Sequence, residues 1–138
     1  MTKDRVWTLE RLVRYPLITD LDISPDGEEV VYSVREPLLT DEESKFIHHL
    51  YRVATSGEGE PLRLTYGEAS NEMPRWSPDG RYIAFLSDRK GVKNLYVMRA
   101  EGGEAWPLTN VEKDIQSFAW SPDGRQLAFV MVPPDSPE

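Results

Sequence analysis

The chain has 138 residues, 39% of them apolar and 29% charged, a balance that suits one buried core and is too apolar for a disordered tail. A formal charge of −8 repels phosphate backbones and anionic membranes, which argues against nucleic acid or lipid as a main partner. Cysteine is absent, so disulfide frameworks and thiolate metal sites are excluded, and the charged start Met1-Thr2-Lys3-Asp4-Arg5 leads into no apolar run of signal-peptide or membrane-span length, which predicts a cytoplasmic chain.

Residues 1–16 form the first segment. Leu9, Leu12 and Val13 fall at helical spacing after Thr8 and Pro16 stops the run, so a short amphipathic helix is predicted over Trp7–Tyr15, packed across the edge of the adjoining sheet or against a neighbouring domain. Beyond it an internal repeat begins. Ser-Pro-Asp-Gly stands at Ser24–Gly27, Ser77–Gly80 and Ser121–Gly124, spaced by 53 and then 44 residues. Trp76 and Trp120 precede two of these tetrapeptides and Ile23 the first. An apolar run comes after each: Val30–Val34, Tyr82–Leu86 and Leu127–Met131. Leu50-Tyr51-Arg52-Val53 matches Leu95-Tyr96-Val97-Met98, and Leu64-Thr65 matches Leu108-Thr109, so the unit is about 44 residues.

Each unit reads as four short strands, because apolar segments of strand length alternate with turn residues and carry no helical period. The first unit, residues 17–66, has about nine extra residues, mostly around Glu36–Lys45, and these predict a longer polar hairpin loop. In the second, residues 67–110, strands are predicted at Met73–Ser77, Arg81–Ser87, Asn94–Arg99 and Ala105–Thr109. The first hairpin there suits a type I turn with a glycine bulge: Pro presets φ, Asp tolerates the bridge region and Gly supplies positive φ. Along its second strand Tyr82, Ala84 and Leu86 point one way and Ile83 and Phe85 the other, so both faces need a cover. The third unit, residues 111–138, shows strands at Ile115–Trp120 and Gln126–Val132 before Pro133–Glu138, and reads as the first half of a unit. Repeated four-stranded meanders covered on both faces predict an all-β fold, an incomplete β-propeller of about two and a half antiparallel blades with a short N-terminal helix; stacked sandwiches are the weaker alternative. The unpaired last strand predicts a fragment of a longer protein that self-associates through open strand edges.

No catalytic, cofactor-binding or metal-binding residue is assigned, and each candidate has a simpler structural reading. His48 and His49, adjacent in a strand, point to opposite faces, which argues against joint metal ligation. Asp26, Asp79 and Asp123 recur with the turn; calcium loops need several closely spaced oxygen ligands, so the turn reading is preferred. Asp20 and Asp22 with Asp26 read as a solvated acidic edge. Trp76 and Trp120, at one repeat position, read as blade-to-blade packing rather than a stacking surface for a ligand, and Asp41-Glu42-Glu43 reads as a soluble loop that could contact a partner domain.

The block Trp76-Ser77-Pro78-Asp79-Gly80, with Ile83-Ala84-Phe85, Ser87, Arg89, Asn94-Leu95-Tyr96-Val97 and Leu108-Thr109, resembles the propeller repeat shared by TolB proteins and by peptidases of the prolyl oligopeptidase family. Leu9-Glu10-Arg11-Leu12, running through Pro16 and Leu21 into Ser24–Tyr32, is similar to the start of acylaminoacyl-peptidase and dipeptidyl-peptidase members. The resemblance implies a C-terminal α/β-hydrolase domain that supplies a Ser-Asp-His triad, with the propeller limiting entry to short peptides. No Gly-x-Ser-x-Gly elbow occurs here, so no catalytic residue carries over. Two functions stay open: the gating portion of a serine peptidase, and a TolB-like propeller scaffold for protein binding.

Overall fold

The computed structural model describes residues 17–41 and 44–131; the helix predicted over Trp7–Tyr15, Glu42, Glu43 and the tail from Val132 lie outside them. Among the described residues ten strands build three antiparallel sheets, each keeping the chain order of its strands. The first sheet is β1 (Leu17–Ile23), β2 (Glu29–Leu39), β3 (Ser44–Ala54) and β4 (Leu62–Arg63). The second is β5 (Asn71–Trp76), β6 (Tyr82–Ser87), β7 (Asn94–Arg99) and β8 (Trp106–Pro107), and β9 (Ile115–Trp120) pairs with β10 (Leu127–Met131) to start the third. β1 lies against β5, so the first two sheets converge on their first strands. These are blades of an incomplete β-propeller.

Turn chemistry fixes the repeat. In the first blade the Gly27 amide donates to the Ser24 carbonyl at 2.8 Å, and Gly27 takes φ +78°, which a side chain would strain. The Ser24 hydroxyl donates to Asp26 Oδ1 at 2.7 Å and accepts from the Glu29 amide at 3.0 Å, while Asp26 Oδ1 also accepts from the Glu28 amide at 2.9 Å. Ser77 with Asp79 and Ser121 with Asp123 repeat every one of these bonds. They hold all three carboxyls below the ordinary value, the serine hydroxyl foremost at Asp26 and Asp123 and the Arg81 amide foremost at Asp79. The recurring aspartates are thus occupied as turn acceptors.

The extra residues of the first unit do not form a long loop. β2 and β3 run in unbroken register from Glu29 opposite Ala54 to Leu39 opposite Ser44, leaving 40–43 as the connection. Cross-strand pairs carry the extension: Pro37 faces Phe46, and the Arg35 guanidinium lies 4.6 Å above the Phe46 ring. Pro37 is tolerated because, among the described residues, β1 pairs no further along β2 than Arg35, so β2 has a partner on one side only.

Strand boundaries otherwise shift by a few residues. β5 starts at Asn71, two residues early, and β8 shrinks to two residues. The early start passes through an irregularity between Glu72 and Arg75, where Met73 takes φ +58°. Similar register shifts occur in β1 between Ile18 and Asp20 and opposite β10 between Ile115 and Ser117.

β6 is covered on both faces, as its alternation demands. Ile83 and Phe85 join Val31, Leu50 and Leu64 of the first blade with Trp76, Tyr96 and Met98 in one cluster. Ala84 and Leu86 join Leu95 with Ile115 and Phe118 of the third blade in the other. Each interface therefore has its own core.

Candidate functional site

The two tryptophans hold neighbouring blades together. The Trp76 indole donates to the Asp22 carbonyl at 3.1 Å and the Trp120 indole to the Arg75 carbonyl at 3.2 Å; Asp22 and Arg75 both stand two residues before a turn serine. This same junction corrects the expectation of a solvated acidic edge. Asp22 Oδ2 accepts from the Trp76 amide at 2.8 Å, and Asp20 Oδ2 pairs with the Arg75 guanidinium at 3.1 Å, so both carboxylates bridge blades. A donor left without water by blade packing needs an acceptor, and the acidic residues supply it. Arg52 adds a further bridge, pairing with Glu29 at 2.8 Å and donating to the Ala100 carbonyl.

A cleft of about 180 Å³ opens beside this junction, lined by Thr19, Asp20, Ser33, His48, Glu72 and Met73. It brings together two residues singled out in the sequence, Asp20 and His48, with one that was missed. Glu72 lies five residues before its turn serine, where Thr19 and Gln116 stand in the other units; that repeated polar position at the bulges was the available signal. Glu72 pairs with Lys93 at 2.8 Å, and this bond raises the lysine pKa. Thr19 and Ser33 share a hydrogen bond of 2.8 Å.

Ser70, His48 and Glu72 have the residue types of a hydrolytic relay but the wrong arrangement. Ser70 Oγ lies 3.2 Å and Glu72 Oε1 3.9 Å from the same ring nitrogen, Nδ1 of His48. A relay needs the base nitrogen on the serine and the other nitrogen on the acid. Ser70 Oγ is also tied down, accepting from the His48 amide at 2.9 Å. The cleft can hydrogen-bond a polar chain; it does not activate a nucleophile.

His49 points the other way and is buried. Its Nε2 lies 3.1 Å from the Gly67 carbonyl and Nδ1 2.9 Å from Thr65 Oγ1, which accepts from the Leu50 amide. Nε2 therefore carries the proton and donates, and Nδ1 accepts from the Thr65 hydroxyl. In the second blade Asn94 fills the matching position: Asn94 Oδ1 accepts from the Thr109 hydroxyl and the Val111 amide, both at 2.8 Å, and Thr109 Oγ1 accepts from the Leu95 amide. His49 is thus a latch on the chain leaving the fourth strand.

Burial foremost, then the Arg63 charge, pushes the His49 pKa below its ordinary value, against a smaller opposing effect of Glu36. The unfolded chain then binds this proton more readily than the folded one, so the latch's contribution is whole above about pH 6.5 and is lost as pH falls through that value. His49→Asn, which copies the second blade, is expected to flatten the stability decline between pH 7 and pH 5 in urea unfolding. An unchanged acid limb in the variant would sink this assignment.

Of the remaining candidates, Asp26, Asp79 and Asp123 stay apart in their own turns, and Asp41 is exposed at the hairpin tip. Among the described residues no group of three or more His, Cys, Asp or Glu side chains is placed to hold a metal ion.

A family model described as the TolB beta propeller domain matches residues 21–135. Over 95 residues the chain is 38% identical to a Bacillus subtilis protein named an uncharacterized peptidase, YuxL, a match covering 68% of this chain and 14% of that protein. Dipeptidyl-peptidase 5 of Porphyromonas endodontalis is 31% identical over 110 residues, covering 80% of this chain and 16% of the relative. A solved structure from Agrobacterium tumefaciens, assigned as a TolB, aligns with a TM-score of 0.67 at 28% identity, over 88% of this chain and 40% of its own. The chain thus spans 14% to 16% of the length of these curated relatives.

Proposed function

The chain belongs to the TolB β-propeller domain family, and from that premise we propose that it is the N-terminal propeller portion of a cytoplasmic serine peptidase of the prolyl oligopeptidase family, gating peptide access to a C-terminal α/β-hydrolase domain. One observation carries the reading: two relatives named as peptidases each align with more than two thirds of this chain and with a small part of themselves. In this reading the nucleophile, base and acid come from the partner domain of the same polypeptide. The propeller contributes the route. Its polar cleft at Asp20, His48 and Glu72, with both carboxylates paired to Arg75 and Lys93, suits hydrogen bonding to a passing peptide backbone rather than chemistry on it.

The parent gene product, purified whole, is expected to cleave short blocked peptides and to lose that activity when the serine of its Gly-x-Ser-x-Gly elbow becomes alanine. Long unfolded chains are expected to be poor substrates. The 138-residue chain alone is expected to hydrolyse neither peptide nor acyl ester, because no described histidine has a serine on one ring nitrogen and an acid on the other. A reading frame that continues without the elbow, or turnover by the isolated chain free of host hydrolases, would count against the proposal. A protein-binding scaffold is the second reading, favoured by the likeness to the Agrobacterium structure, and a closed propeller without hydrolase would support it.

A further inference from the structure

We propose that the groove between the first two blades at Tyr66, Arg89 and Met98 binds a carboxylate, one oxygen accepting from the Tyr96 hydroxyl and the other from the Arg89 guanidinium. The ligand is a free carboxylate on a chain with an apolar side group, supplied by the end of a peptide or by an acidic side chain. The site is independent of whether the parent is a peptidase or a scaffold, and it shares no lining residue with the cleft at Asp20, His48 and Glu72.

The groove has a volume of about 340 Å³, with Leu64, Tyr66, Arg89, Met98, Glu104 and Ala105 among its lining residues. Its cation is held in place and not neutralised. Arg89 Nε donates to Ser87 Oγ at 2.9 Å and Nη2 to Asn71 Oδ1 at 2.7 Å, and both acceptors belong to residues with no exposure. The guanidinium lies 4.6 Å above the Tyr96 ring, and among the described residues no carboxylate pairs with it. The Nη1 protons are left for a ligand. A fork already fixed in this way loses little side-chain freedom when an anion binds.

The first blade contains the arrangement that the second lacks. There the Tyr51 hydroxyl donates to Glu36 Oε2 at 2.5 Å and accepts from Arg63 Nη1 at 3.0 Å, while Arg63 Nη2 stands 3.5 Å from Glu36 Oε1. Phenol, carboxylate and guanidinium close on one another. Tyr96 holds the same place in the second blade, stacked on Phe85 as Tyr51 is on Tyr32. Arg89 replaces Glu36, each four residues after the ring that stacks on the tyrosine, and Pro107 replaces Arg63 opposite the tyrosine. Phenol and cation remain, and the carboxylate is gone. Tyr96 is 2% exposed, and among the described residues its buried hydroxyl has no partner. An unpaired buried hydroxyl costs free energy that an acceptor restores. The ring packs with Leu64 and Met98 and beneath Arg89, all three of which line the groove, so it lies directly behind that lining. Met98, unbranched and adaptable, is the side chain that yields to admit the ligand.

N-acetylphenylalanine titrated into the whole chain is expected to shift the NMR signal of the Arg89 side-chain Nε–H saturably and to raise the melting temperature. Its amide, which keeps the ring and loses the charge, should bind at least about tenfold more weakly. The α-amide of N-acetylaspartate separates the two sources: whichever acid binds more tightly identifies a chain end or an acidic side chain as the natural donor. Tyr96→Phe should weaken the acid by a similar factor and leave the melting temperature of the free chain unchanged or higher, because the deleted hydroxyl has no partner. Tyr51→Phe, which breaks two bonds, should lower it. Glu104→Gln removes the exposed carboxylate from the groove lining and should tighten binding severalfold. No saturable shift, equal binding of acid and amide, or undiminished binding by Tyr96→Phe would overturn the proposal. So would a Tyr96→Phe chain that melts as low as Tyr51→Phe.

Discussion

Trp76→Ala is expected to lower the stability of the chain by about 3–5 kcal/mol in urea unfolding, the range for emptying a core aromatic position. Trp76 is only 8% exposed, sits in the cluster shared by the first two blades, and its indole and backbone amide both donate to Asp22 across the junction. Alanine keeps the amide bond and removes the ring and its donor, so the Asp22 carbonyl loses a partner as well as packing. Trp120→Ala is the control. That ring makes the equivalent bond to Arg75 but stays partly exposed, so its loss should cost clearly less. Equal losses for the two would show that the repeat position, and not its cover, sets the energy.

Phe85→Ala is expected to cost about 3–5 kcal/mol by the same measurement. The ring has no exposure, stacks on Tyr96 and lies 5.6 Å beneath the Arg89 guanidinium, which is itself tied to Asn71 and Ser87. Its removal leaves a void between two blades whose strands are fixed by their ladders and can close on it only in part. Phe129→Ala, the matching change in the third blade, should cost less than about 1.5 kcal/mol, since 39% of that residue already faces solvent. A loss below about 1 kcal/mol for Phe85→Ala would mean that the first interface is not packed as described.

What was legible in the sequence was local or strictly periodic. The Ser-Pro-Asp-Gly turns could be read because their bonds close within five residues, and the two-faced burial of β6 because alternation alone requires it. The 44-residue period then gave three sheets in chain order. The extension of the first hairpin reads as a loop in the sequence because its stability comes from pairs such as Pro37 with Phe46, which local propensity does not report. The roles of Asp20 and Asp22 were hidden for a related reason: their partners, Arg75 and Trp76, lie 55 and 54 residues away along the chain. Glu72 escaped notice because the polar position it shares with Thr19 and Gln116 changes residue type from unit to unit and so carries no chemical motif. Its importance arises only where β1 and β5 converge.

Because each core cluster spans a single interface between adjacent blades, the molecule approximates a linear array whose free energy is a sum over neighbours. Such an array frays from its termini inward. The second blade, which among the described residues is the one with both neighbours, should release its amide protons to solvent last, and each further blade added beyond β10 would shift that slowest-exchanging region outward along the chain.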